Sequence, residues 1–139
     1  MPLTIESASA NDAGVAVLVL AGELDASNYE SLIDRARAAH DGGARALVLD
    51  LAGLTFMASS GLVALYSVVR IMRGEAPPDP EAGWGAIHDM EEDTEGSIAT
   101  VRLAALQPAV ERVLDRTGMK RLFEVDASRE ASLSALQGA

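Results

Sequence analysis

Short apolar runs alternate along the chain with longer segments in which apolar residues recur every three or four positions. The first two runs are the alternating stretch Leu3 to Ser7 and the β-rich stretch Val15 to Gly22, separated by the turn-prone residues 11–14. This pair predicts a β-hairpin. A third run, Ala46 to Leu51, is almost wholly apolar and is typical of a strand buried on both faces of a parallel sheet.

Helical periodicity follows these runs. A turn at Gly22–Asp25 and a capping box, Ser27-x-x-Glu30, predict the start of helix one, which should end near Gly42–Gly43. A second helix should start near Ser60 and end at Arg73–Gly74. The positions expected to be buried are Tyr29, Leu32, Ile33 and Ala36 in helix one, and Leu62, Leu65, Tyr66, Val69 and Met72 in helix two.

The remainder of the chain repeats this alternation. Residues 98–104 alternate like a strand, and Pro108 opens a helix that stops at Thr117–Gly118. A short strand, Leu122 to Val125, precedes a last helix capped by Ser128, with Leu133 and Leu136 as its buried face. The order of elements predicts an α/β fold: one domain over residues 1–139, with a mostly parallel, mixed β-sheet of four to five strands and about four helices.

One segment, at about 75–97, interrupts the pattern with prolines, glycines and acidic residues. Eight acids lie between residues 75 and 96 without a lysine or arginine, so they account for most of the net charge of −10. We interpret this segment as an insertion in the single domain, because three prolines within four residues prevent helix two from continuing. The acids are Glu75, Asp79, Glu81, Asp89, Glu91, Glu92, Asp93 and Glu95.

Composition excludes several classes of function. A net charge of −10 disfavours nucleic acid as a partner, because counterion release requires basic surface. No apolar run approaches the roughly 20 residues of a membrane span, and no secretory signal pattern is visible, so we expect a cytoplasmic protein. The absence of cysteine excludes disulfides and thiolate chemistry.

The stretch from Asp50 to Gly61 (DLAGLTFMASSG) joins the buried strand to the start of helix two. It resembles the strand-turn-helix signature of bacterial anti-sigma factor antagonists of the STAS family, in which the motif reads Asp-Ser-Ser-Gly or Asp-Ser-Thr-Gly. Three further features match in order: Gly22–Asp25, Thr117–Gly118, and the terminal helix with its Ala135-Leu136 pair. The resemblance covers about 1–73 and 97–136, and it implies a STAS-like domain.

In that family a partner kinase, which is itself the anti-sigma factor, phosphorylates the serine after the motif aspartate. The resemblance therefore implies Ser59 as phosphoacceptor, with Ser60 in reserve. It also implies a protein-binding switch that holds an anti-sigma serine kinase when unphosphorylated and is released by phosphorylation, with ATP bound by the partner. The implied partner-binding residues are Glu23, Leu24, Asp25, Met57, Ala58, Ser59, Ser60, Gly61 and Leu62.

The chain departs from the family motif at Ala58, where the aspartate is expected. This departure leaves a second hypothesis open: a STAS scaffold, or a subunit of a transport or stress-signalling complex, that is not phosphorylated. Ser59 or Ser60 could then serve only as a helix cap, since serine favours that position. A homodimer also stays open.

Glu23 and Asp25 admit two interpretations, a contact with the kinase or a turn before the first helix. His40 falls at the end of helix one, where the helix dipole favours a cation. Trp84 lies between glycines in the acidic segment. His88 lies among acids, but no calcium loop or zinc spacing is present, so we expect no metal and no cofactor. No phosphate loop, dinucleotide fingerprint or nucleophile elbow occurs, so we expect no enzyme; a small enzyme that uses the acidic segment is the weakest of the hypotheses.

Overall fold

A computed structural model describes residues 2–8, 14–75 and 100–137. The described elements are five strands, four α-helices and one 3-10 helix. In chain order they are β1 (Thr4–Ala8), β2 (Val15–Leu24), α1 (Tyr29–Asp41), β3 (Ala46–Met57), α2 (Ser59–Met72), β4 (Val101–Ala104), α3 (Pro108–Thr117), the 3-10 helix Met119–Leu122, β5 (Glu124–Asp126) and α4 (Arg129–Gln137).

The strands form one sheet in the order β1-β2-β3-β4-β5. β1 and β2 are antiparallel, with Ile5 opposite Leu20, and every later pair is parallel. The mixed, mostly parallel sheet and the α/β class predicted from the sequence are therefore confirmed. The expected turn at 11–14 lies outside the described residues except for Gly14.

β3 is buried on both faces, as its apolar run predicts. Leu47 and Leu49 belong to the main core, which also includes buried residues of α1, α2 and α3. Ala46 and Val48 point to the other face and pack in a smaller cluster with Leu136 of α4. This alternation follows from the two-residue period of a strand.

β2 and β3 extend further than the sequence pattern predicts. The residues Gly22–Leu24 are the end of β2 and not a turn, and β3 continues past Leu51 to Met57. Two register shifts, between Val19 and Ala21 and between Gly22 and Glu23, place two extra residues in β3. Bulges of this kind change which residues face the core without ending a strand, so a strict two-residue period does not reveal them.

Gly22 meets a local requirement of this extension. Its φ is +102°, and a Cβ there would collide with the carbonyl oxygen of Pro2. Only glycine adopts such a conformation without strain. Gly22 therefore lets β2 continue beneath the start of the chain.

α1 does not begin with the predicted capping box. Ser27 is not the N-cap: the helix starts at Tyr29, and Asn28 precedes it without a side-chain cap. Instead the Asp25 carboxylate accepts hydrogen bonds from the Ser27 N–H (2.9 Å) and the Ser27 hydroxyl (2.6 Å). The Asn28 side chain in turn donates to the Glu23 carbonyl. Ser27 therefore hydrogen-bonds to Asp25 instead of capping the helix, since hydrogen bonds between short polar side chains and the nearby backbone compete with capping.

The predicted helix ends agree better with the structure. α1 ends at Asp41, next to Gly42 and Gly43, and α2 ends next to Arg73 and Gly74. Pro108 is the first residue of α3, and Gly118 closes that helix in the left-handed conformation. These are positions that proline and glycine favour at helix ends.

The last strand is displaced from its prediction. Leu122 belongs to the 3-10 helix, and β5 covers Glu124–Asp126 instead of Leu122–Val125. Met119 and Leu122 are both buried, and their three-residue spacing suits a 3-10 turn. The apolar side chains are thus buried by a helical turn and not by the strand.

α4 is attached to the sheet by polar contacts as well as by Leu136. The Ser128 hydroxyl accepts the Ala131 N–H at 3.1 Å, which confirms the predicted cap. In β4 and β5, Arg102 donates to both carboxylate oxygens of Asp126, at 2.8 and 3.1 Å, and the buried Ser132 of α4 donates to Asp126 at 2.6 Å. The Arg102 guanidinium, followed by Ser132, lowers the pKa of Asp126.

The predicted insertion at 75–97 lies outside the described residues except for Glu75, and so do Trp84 and His88. Glu75 lies 3.7 Å from both Arg70 and Arg73 at the end of α2. None of the helices in the described ranges combines the length and the apolar character that a membrane span requires.

Candidate functional site

The start of α2 is held against the end of β2. Ala58 is extended, with φ −84° and ψ 175°, and its N–H donates to the Leu24 carbonyl at 2.9 Å. Ser59 follows as the first helical residue and is exposed. The chain therefore turns from strand to helix at Ala58, and this turn presents Ser59 to solvent.

This helix start has little electrostatic compensation. No side chain caps it, and its first turn holds no acid. The Ala58 carbonyl accepts the Gly61 N–H at 2.9 Å, which leaves the N–H groups of Ser59 and Ser60 at the positive end of the helix dipole. In the resembled motif the residue at position 58 would be a carboxylate, so its replacement by alanine leaves this end uncapped.

Ser60 differs from Ser59 in its exposure. The Ser60 hydroxyl oxygen is buried and has no hydrogen-bond partner among the described residues. Ser59, one position earlier on the helix, is exposed. A hydroxyl must be accessible to receive a phosphoryl group, so the geometry favours Ser59 over Ser60 as an acceptor.

Gly61 allows α2 to approach the strands closely. A Cβ at this position would collide with Cγ of Met57 and would lie 3.1 Å from Cδ2 of Leu24. Leu24, Met57 and Leu62 are buried in the main core. Of the residues expected to bind a partner, these three and Gly61 therefore support the surface from beneath, and their side chains are not presented on it.

Glu23 and Asp25 lie beside this turn. Glu23 is half-buried and is in register with Phe56 on β3. The hydrogen bonds from Ser27, first from its hydroxyl and then from its N–H, lower the pKa of the Asp25 carboxyl. Asp25 thus takes part in the turn before α1, which was one of its two predicted interpretations.

Phe56 was not predicted to be part of this site. It is 47% exposed, which makes it the one large apolar side chain so exposed in the described ranges. Leu54 and Met57 are buried while Thr55 and Phe56 between them are both exposed. A two-residue period does not predict two adjacent exposed positions in a strand, so only the bulge reveals this orientation.

Metal ligands do not gather at this site or elsewhere in residues 2–8, 14–75 and 100–137: no three His, Asp or Glu side chains lie close enough to hold an ion. Exposed hydroxyl and aromatic side chains, with two half-buried acids beside them, lie at one end of the β2–β3 ribbon and are suited to contact with another protein.

The family model described as "Mlab, STAS domain" matches residues 7–76, about half of the chain and including the whole of the β3–α2 turn. The chain therefore belongs to the STAS domain family.

Within that family it is similar to proteins described as anti-sigma factor antagonists. A Bordetella bronchiseptica protein described as an anti-sigma factor antagonist, BtrV, is 28% identical over 126 residues, which are 91% of this chain and 90% of that protein.

Two solved structures share the fold. An anti-sigma factor antagonist from Mycobacterium paratuberculosis superimposes with a TM-score of 0.70 at 22% identity, covering 98% of this chain and 95% of that one. The anti-sigma factor antagonist SpoIIAA in its unphosphorylated form gives a TM-score of 0.69 at 20% identity, with 98% of both chains covered. These matches confirm the predicted STAS fold.

Proposed function

We propose that this chain is a phosphorylation-gated binding switch. It binds an anti-sigma factor serine kinase through the surface around Ser59 and is released when Ser59 is phosphorylated. The observation that carries the proposal is the exposed Ser59 at the first position of α2, next to Ala58, whose N–H bonds to Leu24 between Glu23 and Asp25.

Local electrostatics support both states of such a switch. A phosphate adds a charge of about −1.5 to −2 at neutral pH. The uncapped start of α2 tolerates that charge because its N–H groups and dipole are positive. A partner packed on the same surface would have to bury the phosphate, which costs binding energy unless cations are placed opposite it. Phosphorylation therefore weakens the complex without unfolding the domain.

The comparisons support this function at the level of the family. The Bordetella relative is described as an antagonist of an anti-sigma factor, and SpoIIAA is known in both an unphosphorylated and a phosphorylated form. An anti-sigma factor is accordingly the partner we propose. ATP would be bound by this partner, and binding and phosphorylation would take place in the cytoplasm.

The test is a kinase assay with the anti-sigma-type serine kinase encoded beside this chain in its genome. We expect mass spectrometry to find one phosphate on Ser59 after incubation with ATP. Ser59→Ala should abolish the modification, and the matched variant Ser60→Ala should retain it. A wild-type chain that binds the kinase but stays unmodified would refute the switch.

A second candidate function rests on Ala58, which replaces the motif aspartate. In this alternative the chain is a scaffold or complex subunit that binds its partner without being phosphorylated. Isothermal titration of Ser59→Ala and Ser59→Asp distinguishes the two. The switch requires Ser59→Asp to bind much more weakly than Ser59→Ala, whereas a scaffold binds equally through both.

A further inference from the structure

Phe56 is the penultimate residue of β3 and precedes Ser59 by three positions. Its large exposed area has a local cause. The register shift after Gly22 pairs Gly22 with Leu54 and Glu23 with Phe56, so Thr55 is the extra residue of a bulge. The Thr55 hydroxyl donates to the Gly22 carbonyl at 3.1 Å and holds the bulge in place.

The bulge separates two roles along four consecutive residues. Leu54 and Met57 are buried in the core, while Thr55 and Phe56 both face solvent. A regular strand would turn Phe56 and Leu54 to the same, buried face, because side chains two positions apart share a face. The backbone thus presents an aromatic ring that a continuous strand would bury.

A single exposed apolar residue is common on protein surfaces and by itself needs no explanation. Phe56 differs because of its neighbours. Three residues of extended chain span at most about 11 Å, so the Phe56 ring and the Ser59 hydroxyl fall within one ordinary protein interface. β3 pairs with β4 only from Leu47 to Asp50, so this end of β3 extends beyond β4 and is paired with β2 alone.

The two chain segments that meet at Phe56 carry only negative charge. Segments 22–25 and 52–61 contain Glu23 and Asp25 but no lysine or arginine. Glu23 is the register neighbour of Phe56. A partner complementary to this end of the molecule must therefore offer an apolar pocket for an aromatic ring, with basic side chains around its rim.

We propose that Phe56 is the aromatic anchor by which this chain binds the kinase, inserted into an apolar pocket with a cationic rim. This inference rests on the proposed function and adds to it the residue that supplies most of the affinity. Aromatic side chains dominate the energetics of interfaces when they are buried at the centre and surrounded by polar contacts. The position also explains why a phosphate on Ser59 would act strongly: it would lie close to the buried ring, where the partner excludes water.

The test is isothermal titration of the kinase with four forms of the chain. We expect Phe56→Ala to weaken binding by at least about thirtyfold, the effect of losing one strong anchor. Phe56→Leu keeps an apolar side chain and should recover most of the affinity. Arg112→Ala, on the exposed side of α3, is the remote control and should bind like wild type. Thermal melting of Phe56→Ala should stay close to wild type, since the ring is half exposed.

The outcomes distinguish a failure of the Phe56 anchor from a failure of the proposed switch function. If the wild-type chain does not bind the kinase, the proposed function fails and the anchor fails with it. If wild type binds and Phe56→Ala binds equally well, the anchor alone is refuted. Sedimentation of the chain by itself provides a further check, because a dimer dissociated by Phe56→Ala would mean that the ring binds a second copy of this chain instead.

Discussion

Restoring a carboxylate at position 58 tests the electrostatics of the α2 start. Ala58 is the N-cap residue, its backbone is already extended, and no side chain satisfies the helix N–H groups. In Ala58→Asp the new carboxylate can accept the N–H of Ser60 or Gly61, the usual geometry of an N-cap. We therefore expect this substitution to stabilise the fold, although it adds a negative charge to an acidic protein.

The magnitude follows from two contributions. Replacing alanine by a capping side chain is worth about 1 kcal/mol, and a negative charge at the first turn adds about 0.3–1 kcal/mol. Ser59→Glu, which imitates the phosphate, adds a charge without a cap, so it should contribute only the favourable interaction with the helix dipole. In the double variant the two carboxylates lie roughly 6 Å apart and repel each other by about 0.7 kcal/mol in water. The double variant should therefore gain about 0.7 kcal/mol less than the sum of the two single variants.

Urea unfolding of the four forms measures this cycle directly. We expect Ala58→Asp to raise the free energy of unfolding by about 1–2 kcal/mol, or Tm by about 3–8 °C. Ala58→Asn caps without charge and should give the larger part of that gain, about 1 kcal/mol. If Ala58→Asp is neutral or destabilising, the helix start is already satisfied and does not favour a phosphate. If the double variant is fully additive at low salt, the two carboxylates do not repel each other at this turn.

Two further predictions concern the packing of the fold. Asp126→Asn removes the counter-charge of the mostly buried Arg102, so it should lower the free energy of unfolding by about 2–4 kcal/mol, against about 1 for Ser132→Ala. The pKa of Asp126 is lowered in the folded state, so its contribution to the free energy of unfolding is complete above about pH 4 and is lost as the pH falls further. Wild type should therefore lose stability in acid more steeply than Asp126→Asn. Equal pH dependence of the two proteins would contradict this. Gly61→Ala should destabilise by about 1–3 kcal/mol because its Cβ meets Met57, whereas a gain of about 1 kcal/mol, as helix propensity alone requires, would refute the close packing.

Much of the architecture could be predicted because each segment carries its own period. The run from Ala46 to Leu51 is apolar at every position except Asp50, so it predicts a strand covered on both faces, and the structure buries it so. Pro108 and Gly118 mark the ends of α3 through their own backbone preferences. Errors occurred where another contact competed with the expected one: Asp25, two residues away in sequence, took the hydrogen bonds of Ser27, and the core took Leu122 into a 3-10 turn.

The candidate site was predicted unevenly. Ser59 and its neighbours follow from the motif, since a strand-turn-helix segment with serines at the helix start is visible in the sequence. Its outward direction, and the burial of the Ser60 hydroxyl, depend on the rotation of α2 over Leu24 and Met57. Phe56 has no signal in the hydrophobic pattern, because the bulge that exposes it depends on the register between β2 and β3.

The sequence alone determined the order of strands and helices, the acidic balance and the serine pair after the third strand, because periodicity, backbone preference and charge are local properties of a chain. Only the tertiary structure decided which side chains at that turn reach solvent. Exposure depends on how a helix packs across a bulged pair of strands, and that packing joins residues 24, 57 and 61, which no local rule relates to one another.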